Sequence, residues 1–181
     1  MLTQYETNRL VIKVLTSNYC NSVLRFYKDN KNIFEPLNPI SPTNYYTTNY
    51  QRSVLMAEYE AYLKGNGIRY YIYEKTNSSK IIGTVSFSDI KGSFSKSAIL
   101  GYRFGKKYHH QGFAAEAIQE LIKAVKKEGY IHRLEAYIQP ENIPSKNLII
   151  RLGFNYEGIC YSHTLIQEKW KDMERYSLIL S

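Results

Sequence analysis

The amino-acid sequence predicts an α/β (α+β) fold: a mixed, mostly antiparallel twisted sheet of about seven strands with helices on both faces. Three observations carry this. Residues 68–104 hold three runs rich in β-branched and aromatic residues, joined by short loops as in an antiparallel meander. An amphipathic run from Gly112 to Lys127 follows, and an alternating run from Arg133 to Gln139 comes after it. The third meander run, that helix and that strand make a β–α–β unit, which places two strands of one sheet parallel.

Each element has its own local signal. Leu10, Ile12 and Val14 alternate within residues 8–14, a first strand. Thr16-Ser17-Asn18 is the cap before a helix carrying Val23, Leu24, Phe26 and Tyr27. Residues 30–44, with Pro36, Pro39 and Pro42, read as a loop. Residues 47–64 read as a helix with Leu55, Tyr59, Tyr62 and Leu63 on its apolar face, stopped by Gly65-Asn66-Gly67. Strands follow at Ile68–Glu74, Lys80–Ser88 and Ser97–Phe104, the first two joined by a turn over 76–79. Ala114, Ile118, Leu121, Ile122 and Val125 form the stripe of the next helix, which Gly129 ends. Leu134, Ala136 and Ile138 alternate in the following strand. Pro144–Leu152 is a short helix with Pro in its first turn and Gly153 at its end. Phe154–Tyr161 and Lys171–Leu180 are the last strands.

The bulk numbers exclude several classes. The 181 residues fit one domain spanning 1–181, since domains run roughly 100–200 residues. With 44% hydrophobic and 22% charged residues, wholesale disorder is excluded. Cys20 and Cys160 are far apart and lack metal-site spacing, so they read as free thiols in a reducing compartment. His109-His110 is not a metal pair, because adjacent residues point to different sides and no Cys or carboxylate cluster accompanies them. The expectation is therefore no metal. No run approaches the roughly 18 apolar residues that span a bilayer, and the start, MLTQYETNRLVIK, lacks a secretory h-region. The reading is a soluble, cytoplasmic protein with no membrane partner.

Lys+Arg number 24 against 16 Asp+Glu, a formal charge of +8. The excess points to nucleic acid, a membrane surface or a phosphorylated small molecule, and composition does not choose among them. No RNP-like, KH or zinc-finger signature appears, and the tyrosines fall in helices and strands alike, which speaks against nucleic acid as the direct ligand. The segment from Leu100 to Ala117, LGYRFGKKYHHQGFAAEA, carries more information. A strand enters a basic loop that opens a helix, so backbone N–H groups and the positive helix end converge on one spot, a pyrophosphate site. Gly112 admits an anion close to the backbone, and Ala114 and Ala115 leave room beside it. Neither a P-loop nor a dinucleotide-binding spacing is present.

Together with RLEAYIQPENIPSKNLIIRLGFNYEG at 133–158, this segment resembles the GNAT superfamily of N-acetyltransferases. Its closer likeness is to the branch of ribosomal-protein N-terminal (RimJ/RimL-like) acetyltransferases. The family's (Arg/Gln)-x-x-Gly-x-(Gly/Ala) loop is matched from His109 to Ala114, with His109 in place of Arg or Gln. A Glu-Ala pair is matched by Glu116-Ala117, and an Arg-Leu-Glu-Ala strand by Arg133 to Ala136. Asn142 and Ser145, Leu152-Gly153-Phe154 and Glu157-Gly158 match in order. So do Thr7 to Leu10, Glu35-Pro36, Ile82-Gly83 and Asp172 to Leu178.

The resemblance implies a GNAT fold and acetyl-CoA as co-substrate. It implies that Gln111, Gly112, Phe113, Ala114 and Ala115 bind the pyrophosphate through their amides. Tyr102, Arg103 and Phe104, in the strand from Leu100, would pair with the pantetheine arm, and Asn142 and Ser145 would also contact the cofactor. Lys106, Lys107 and Lys146 are candidates for phosphate contacts. The family's usual acid, a tyrosine four residues after Ser145, is replaced by Ile149; in the ribosomal-protein branch the Ser of the Asn-x-x-Ser motif is proposed for that role, and the resemblance so nominates Ser145 as the catalytic acid. An amine would attack the thioester directly, with a backbone N–H near Arg103 or Phe104 polarising the carbonyl and a water passing the proton to Glu35 or Asp89. The acceptor pocket maps to residues 30–45 and 161–170, with Glu35 and Trp170 as substrate-binding candidates beside Tyr45, Tyr46 and His163. The acceptor is a primary amine: a protein N-terminus, as on ribosomal proteins, or a small molecule such as an aminoglycoside, polyamine or amino acid. A cofactor-binding relative without catalysis, and a homodimer, stay open.

Overall fold

The computed structural model describes residues 1–92 and 94–180. One eight-stranded sheet runs through it, in the order β1-β2-β3-β4-β5-β6-β8-β7. The strands are β1 (Gln4–Glu6), β2 (Leu10–Lys13), β3 (Ile68–Glu74), β4 (Asn77–Lys91), β5 (Ser97–Phe104), β6 (Arg133–Ile138), β7 (Asn155–Ile166) and β8 (Lys169–Ile179). The helices are α1 (Cys20–Asp29), α2 (Lys31–Phe34), α3 (Thr48–Lys64), α4 (Phe113–Glu128) and α5 (Ile143–Arg151). Every neighbouring pair is antiparallel except β5 and β6. The crossover through α4 makes that pair parallel, because a strand that returns through a helix re-enters the sheet in the same direction.

Burial on β3 shows why the sheet needs helices on both faces. Tyr70 and Ile72 point into one core, with Val85, Phe87, Leu100, Ile118, Leu121 and Leu134. Tyr71 and Tyr73 point into the other, with Val23, Phe26, Tyr27 and Leu55. Successive side chains of a strand alternate faces, so both faces are buried here. The tyrosines therefore serve as core residues with a polar end. Tyr70 donates to the Leu2 carbonyl at 2.8 Å, and Tyr71 to Glu58 Oε2 at 2.8 Å.

The elements depart from the sequence expectation in several places. The described residues form eight strands where about seven were expected, because the three residues of β1 pair with Val11, Ile12 and Lys13 without any apolar alternation of their own. Within the expected loop over 30–44, residues 31–37 coil into α2 and a tight turn at Glu35–Leu37. On α3, Leu55 is buried but Leu63 is 69% exposed, so the apolar face is narrower than the spacing suggested. Thr16 makes no side-chain cap; a 3-10 turn at Ser17–Tyr19 leads into α1 instead. The last two strands extend into a long hairpin whose tip, Gln167-Glu168, has positive φ at both residues, as a two-residue I′ turn requires. Cys20 and Cys160 are both free thiols. Among the described residues no helix is long and apolar enough to cross a membrane.

Gly83 is set by a close approach. A Cβ there would stand 2.4 Å from the Phe104 ring, which is itself buried at the end of β5. Gly83→Ala is expected to destabilise the fold by about 1–3 kcal/mol through overpacking. Urea unfolding would read this as a lower midpoint at unchanged slope; an unmoved midpoint would show that the Phe104 ring relocates freely.

Candidate active site

The site begins where two strands part. β5 and β6 pair only at Ser97–Arg133, Ala98–Leu134 and Ile99–Glu135. β5 then runs on to Phe104 beside β4, and β6 runs on to Ile138 beside β8. The β5 edge facing β6 is left without a strand partner from Leu100 onward, so its backbone groups are available to a ligand. The gap opens into a cleft of about 490 Å³. Tyr102, Arg103 and Phe104 line it from β5, and Asn142, Ser145 and Leu148 from the segment that enters α5.

Gly112, Ala114 and Ala115 line the cleft at the start of α4. His110 (φ 60) and Gly112 (φ 79) bend the chain into the helix. Gly112 is the N-cap residue and no side chain caps the helix, so its first amides face outward without a protein side-chain partner. Uncapped amides and the positive helix end favour an anion. The left-handed φ, not lack of space, is what calls for glycine here, since a Cβ would only reach ordinary contact distance, 3.4 Å, from Arg9 Nη2.

Arg9 clamps this loop from behind. Its Nη1 donates to the Gln111 carbonyl at 3.0 Å, and its guanidinium lies 4.4 Å over the Phe113 ring. Arg9 Nε donates to Glu116 Oε2 at 2.6 Å, while the Arg9 backbone N–H and the Thr7 hydroxyl donate to Glu116 Oε1. Burial would raise the Glu116 carboxyl, but the hydrogen bonds from Thr7 and Arg9 outweigh it and hold the group below its ordinary value. Thr7-Asn8-Arg9 and Glu116, 107 positions from Arg9, are thus halves of one device. His109 Nε2 lies 2.9 Å from the Phe104 carbonyl and pins the other end of the loop.

On the far side of the gap, Asn142 Oδ1 accepts from the Ser145 N–H at 3.3 Å and caps α5. The Ser145 hydroxyl lies 2.6 Å from the Tyr102 hydroxyl. Burial pushes the Tyr102 phenol up to about 12, although its bond to Ser145 works against that shift. Ile149 is fully buried in the core, so the position of the family's usual tyrosine contributes packing and no proton.

Other candidates fall outside the cleft. Gln111 and Phe113 do not line it; Gln111 is exposed and Phe113 is buried against Arg9. Glu35 and Trp170 are not in the lining either. The Glu35 carboxylate stands 3.7 Å from Lys31, and Trp170 is 63% exposed on β8. Lys146 is committed to Glu174 at 2.9 Å and to the Pro140 carbonyl at 3.2 Å. His163 stacks on Tyr137 at 4.5 Å, and Tyr45 packs among Tyr27, Tyr46 and Tyr50. Within the expected segment 30–45, Ile33, Phe34 and Leu37, which sequence reasoning did not single out, line the cleft. Arg103 sits over the Phe34 ring and donates to Asn38 Oδ1 at 3.1 Å. Gln167, at the β7–β8 tip, donates to the carbonyls of Glu35 and Asn38, which ties the two predicted acceptor segments together. Among the described residues, the lining carries Arg103, His109, His110 and Arg151 and no Asp or Glu.

The comparisons with known proteins agree with this geometry. A family model described as an acetyltransferase (GNAT) domain matches residues 9–155, from the Arg9 clamp to the start of β7. The chain is 29% identical over 168 residues to the ribosomal protein uS5-alanine N-acetyltransferase of Escherichia coli (strain K12), covering 92% of this chain and 85% of that protein. In fold it is similar to the ribosomal-protein-S5-alanine acetyltransferase from Vibrio fischeri, with TM-score 0.92, 23% identity and coverage of 98% and 97% of the two chains. It is also similar to Mycobacterium smegmatis RimJ in complex with CoA-disulfide, with TM-score 0.86, 17% identity and coverage of 94% and 81%. Because the family model spans most of the chain, the protein belongs to the GNAT family and is an N-acetyltransferase.

Proposed function

We propose that the protein moves the acetyl group of acetyl-CoA onto the α-amine of a protein N-terminus, with ribosomal proteins as the acceptor class. The acceptor class comes from what the similar proteins are named for. The observation that carries the chemistry is the cleft itself: an uncapped helix start and an unpaired strand edge at its two ends, with a cationic lining. These residues fit acetyl-CoA. The amides from Gly112 to Ala115 hold the pyrophosphate, and exposed Lys106 and Lys107 lie on the turn just before them. The open edge of β5 from Leu100 to Phe104 takes the amide-bearing arm like an added strand. Bound there, the co-substrate supplies an activated acetyl group. A β5 N–H near Arg103 or Phe104 polarises its carbonyl.

The lining also bears on which amine reacts. It holds no carboxylate to serve as base among the described residues. An amine that is already neutral therefore has the advantage. At pH 7.5 about a third of an α-amine of pKa about 7.8 is neutral, against about one in a thousand for a lysine of pKa about 10.4. That difference of a few hundredfold favours a chain terminus. Ile33, Phe34, Leu37 and Arg103 form the mouth through which the terminus enters, with Glu35 next in the chain to Phe34.

Two measurements follow. Calorimetry should find acetyl-CoA binding, and Arg9→Ala should weaken it about tenfold, about 1.4 kcal/mol, because the phosphate loop loses its clamp. Unchanged affinity would show that the loop holds its shape without Arg9. With a peptide library, kcat/KM should rise with pH and level off above about pH 8 as the α-amine deprotonates. Peptides with a blocked N-terminus and internal lysines should not react. Acetylation confined to lysine side chains or polyamines would overturn the α-amine assignment.

A further inference from the structure

Tyr102 reaches across the gap between the parted strands. Its ring packs against the core on the α4 face of the sheet, and its hydroxyl meets the first turn of α5. There it lies 2.6 Å from Ser145 Oγ and donates a longer bond, 3.3 Å, to the Ser145 carbonyl. Arg103, its neighbour on β5, points instead to Phe34 and Asn38 on the opposite face. Alternation along β5 thus puts the acceptor mouth on one side of the strand and a hydroxyl pair on the other. A thioester arm lying along β5 would bring its acyl–sulfur bond between them.

We propose that Tyr102 is a catalytic residue of the transfer: its phenol, bonded to Ser145, gives a proton to the sulfur that leaves as the amide forms. The assignment rests on the acetyltransferase reading above. The amine nitrogen bonds to the acetyl carbon, the carbon–sulfur bond breaks, and the sulfur takes the electron pair. The sulfur receives the Tyr102 proton, directly or through Ser145 Oγ. The proton shed by the nitrogen passes to solvent and returns to the phenolate, so charge and protons balance.

Elementary acidity favours Tyr102 over Ser145 as the source. An ordinary phenol ionises near 10, and even raised by burial to about 12 the Tyr102 phenol is a far stronger acid than an alkyl hydroxyl. Burial keeps the phenol protonated at neutral pH, so it is ready to donate. The other dissociable groups of the lining, His109, His110 and Tyr108, sit on the loop that approaches α4, and Arg103 and Arg151 do not release protons at neutral pH. Ile149 has no proton to give. Ser145 accepts its position from Asn142 through its own N–H, so its hydroxyl is placed to hold the phenol and to relay.

Three proteins test this: Tyr102→Phe, Ser145→Ala, and the full chain with 3-fluorotyrosine at position 102. Tyr102→Phe should lower kcat about 100-fold while KM for acetyl-CoA stays within about threefold, the size expected for one general acid. Ser145→Ala should cost about tenfold, and the double variant should be no slower than Tyr102→Phe, as for groups acting in series. The ¹⁹F resonance of the fluorotyrosine should move on adding CoA and stay in place on adding adenosine 3′,5′-bisphosphate, which lacks the thiol arm. That readout needs no turnover and holds even if Tyr102→Phe fails to fold. A kcat within threefold of wild type, a loss confined to KM, or equal ¹⁹F responses to the two ligands would each overturn the assignment. If instead the wild-type protein turns over no amine, the acetyltransferase reading fails and takes this assignment with it.

Discussion

Three residue pairs join β5 to β6, and what binds or reacts in this protein depends on the pairing stopping at Ile99 and Glu135. A fully paired sheet would leave no backbone free at Leu100–Phe104 and no gap for a ligand. Both strands stay rigid beyond the parting because each has another neighbour, β4 for β5 and β8 for β6. The opening is therefore held by the whole sheet and is not a loose end. Gly83 contributes directly, since its missing side chain lets Phe104 pack flat at the end of β5.

The same parting sorts the chemistry by face. The α4 face holds the phosphate loop, Tyr102 and Ser145; the other face holds Arg103, Phe34 and the turn at Glu35–Leu37. In the proposed transfer the two reactants would approach from opposite sides of one strand, the orientation a direct transfer needs. The +8 charge also divides along these lines. Arg103 and Arg151 line the cleft, whereas Arg133, Arg175 and Glu157 form a network on the outer strands. Glu157 is held down to about 2 by hydrogen bonds from Arg133 and Ser177, so that part of the basic surface is already neutralised within the fold.

Much of this was legible in the sequence wherever the signal was local. Gly112 and Gly129 mark both ends of α4, and both have left-handed φ. The meander, the alternation of Leu134, Ala136 and Ile138, and the cleft residues Tyr102 to Phe104, Gly112, Ala114, Ala115, Asn142 and Ser145 could be read from pattern and resemblance. What was not legible was nonlocal. The Tyr102–Ser145 bond spans 43 positions, and Arg9 reaches Glu116 across 107. β1 is too short to show a period, and Leu63 sits at helical spacing on a helix that only partly contacts the sheet. The acceptor pocket was sought in residues 30–45 and 161–170; within the first segment it is Ile33, Phe34 and Leu37, rather than Glu35, that line the cleft, and a four-residue helix among prolines leaves no periodic trace to single them out.

The most direct test of the account is a crystal structure of the protein with CoA bound. The account predicts the pyrophosphate on the amides of residues 112–115 and the pantetheine arm hydrogen-bonded to the β5 backbone between Leu100 and Phe104, in the gap that β6 leaves. A bound CoA whose arm lies elsewhere, with β5 and β6 still parted and empty between them, would contradict it.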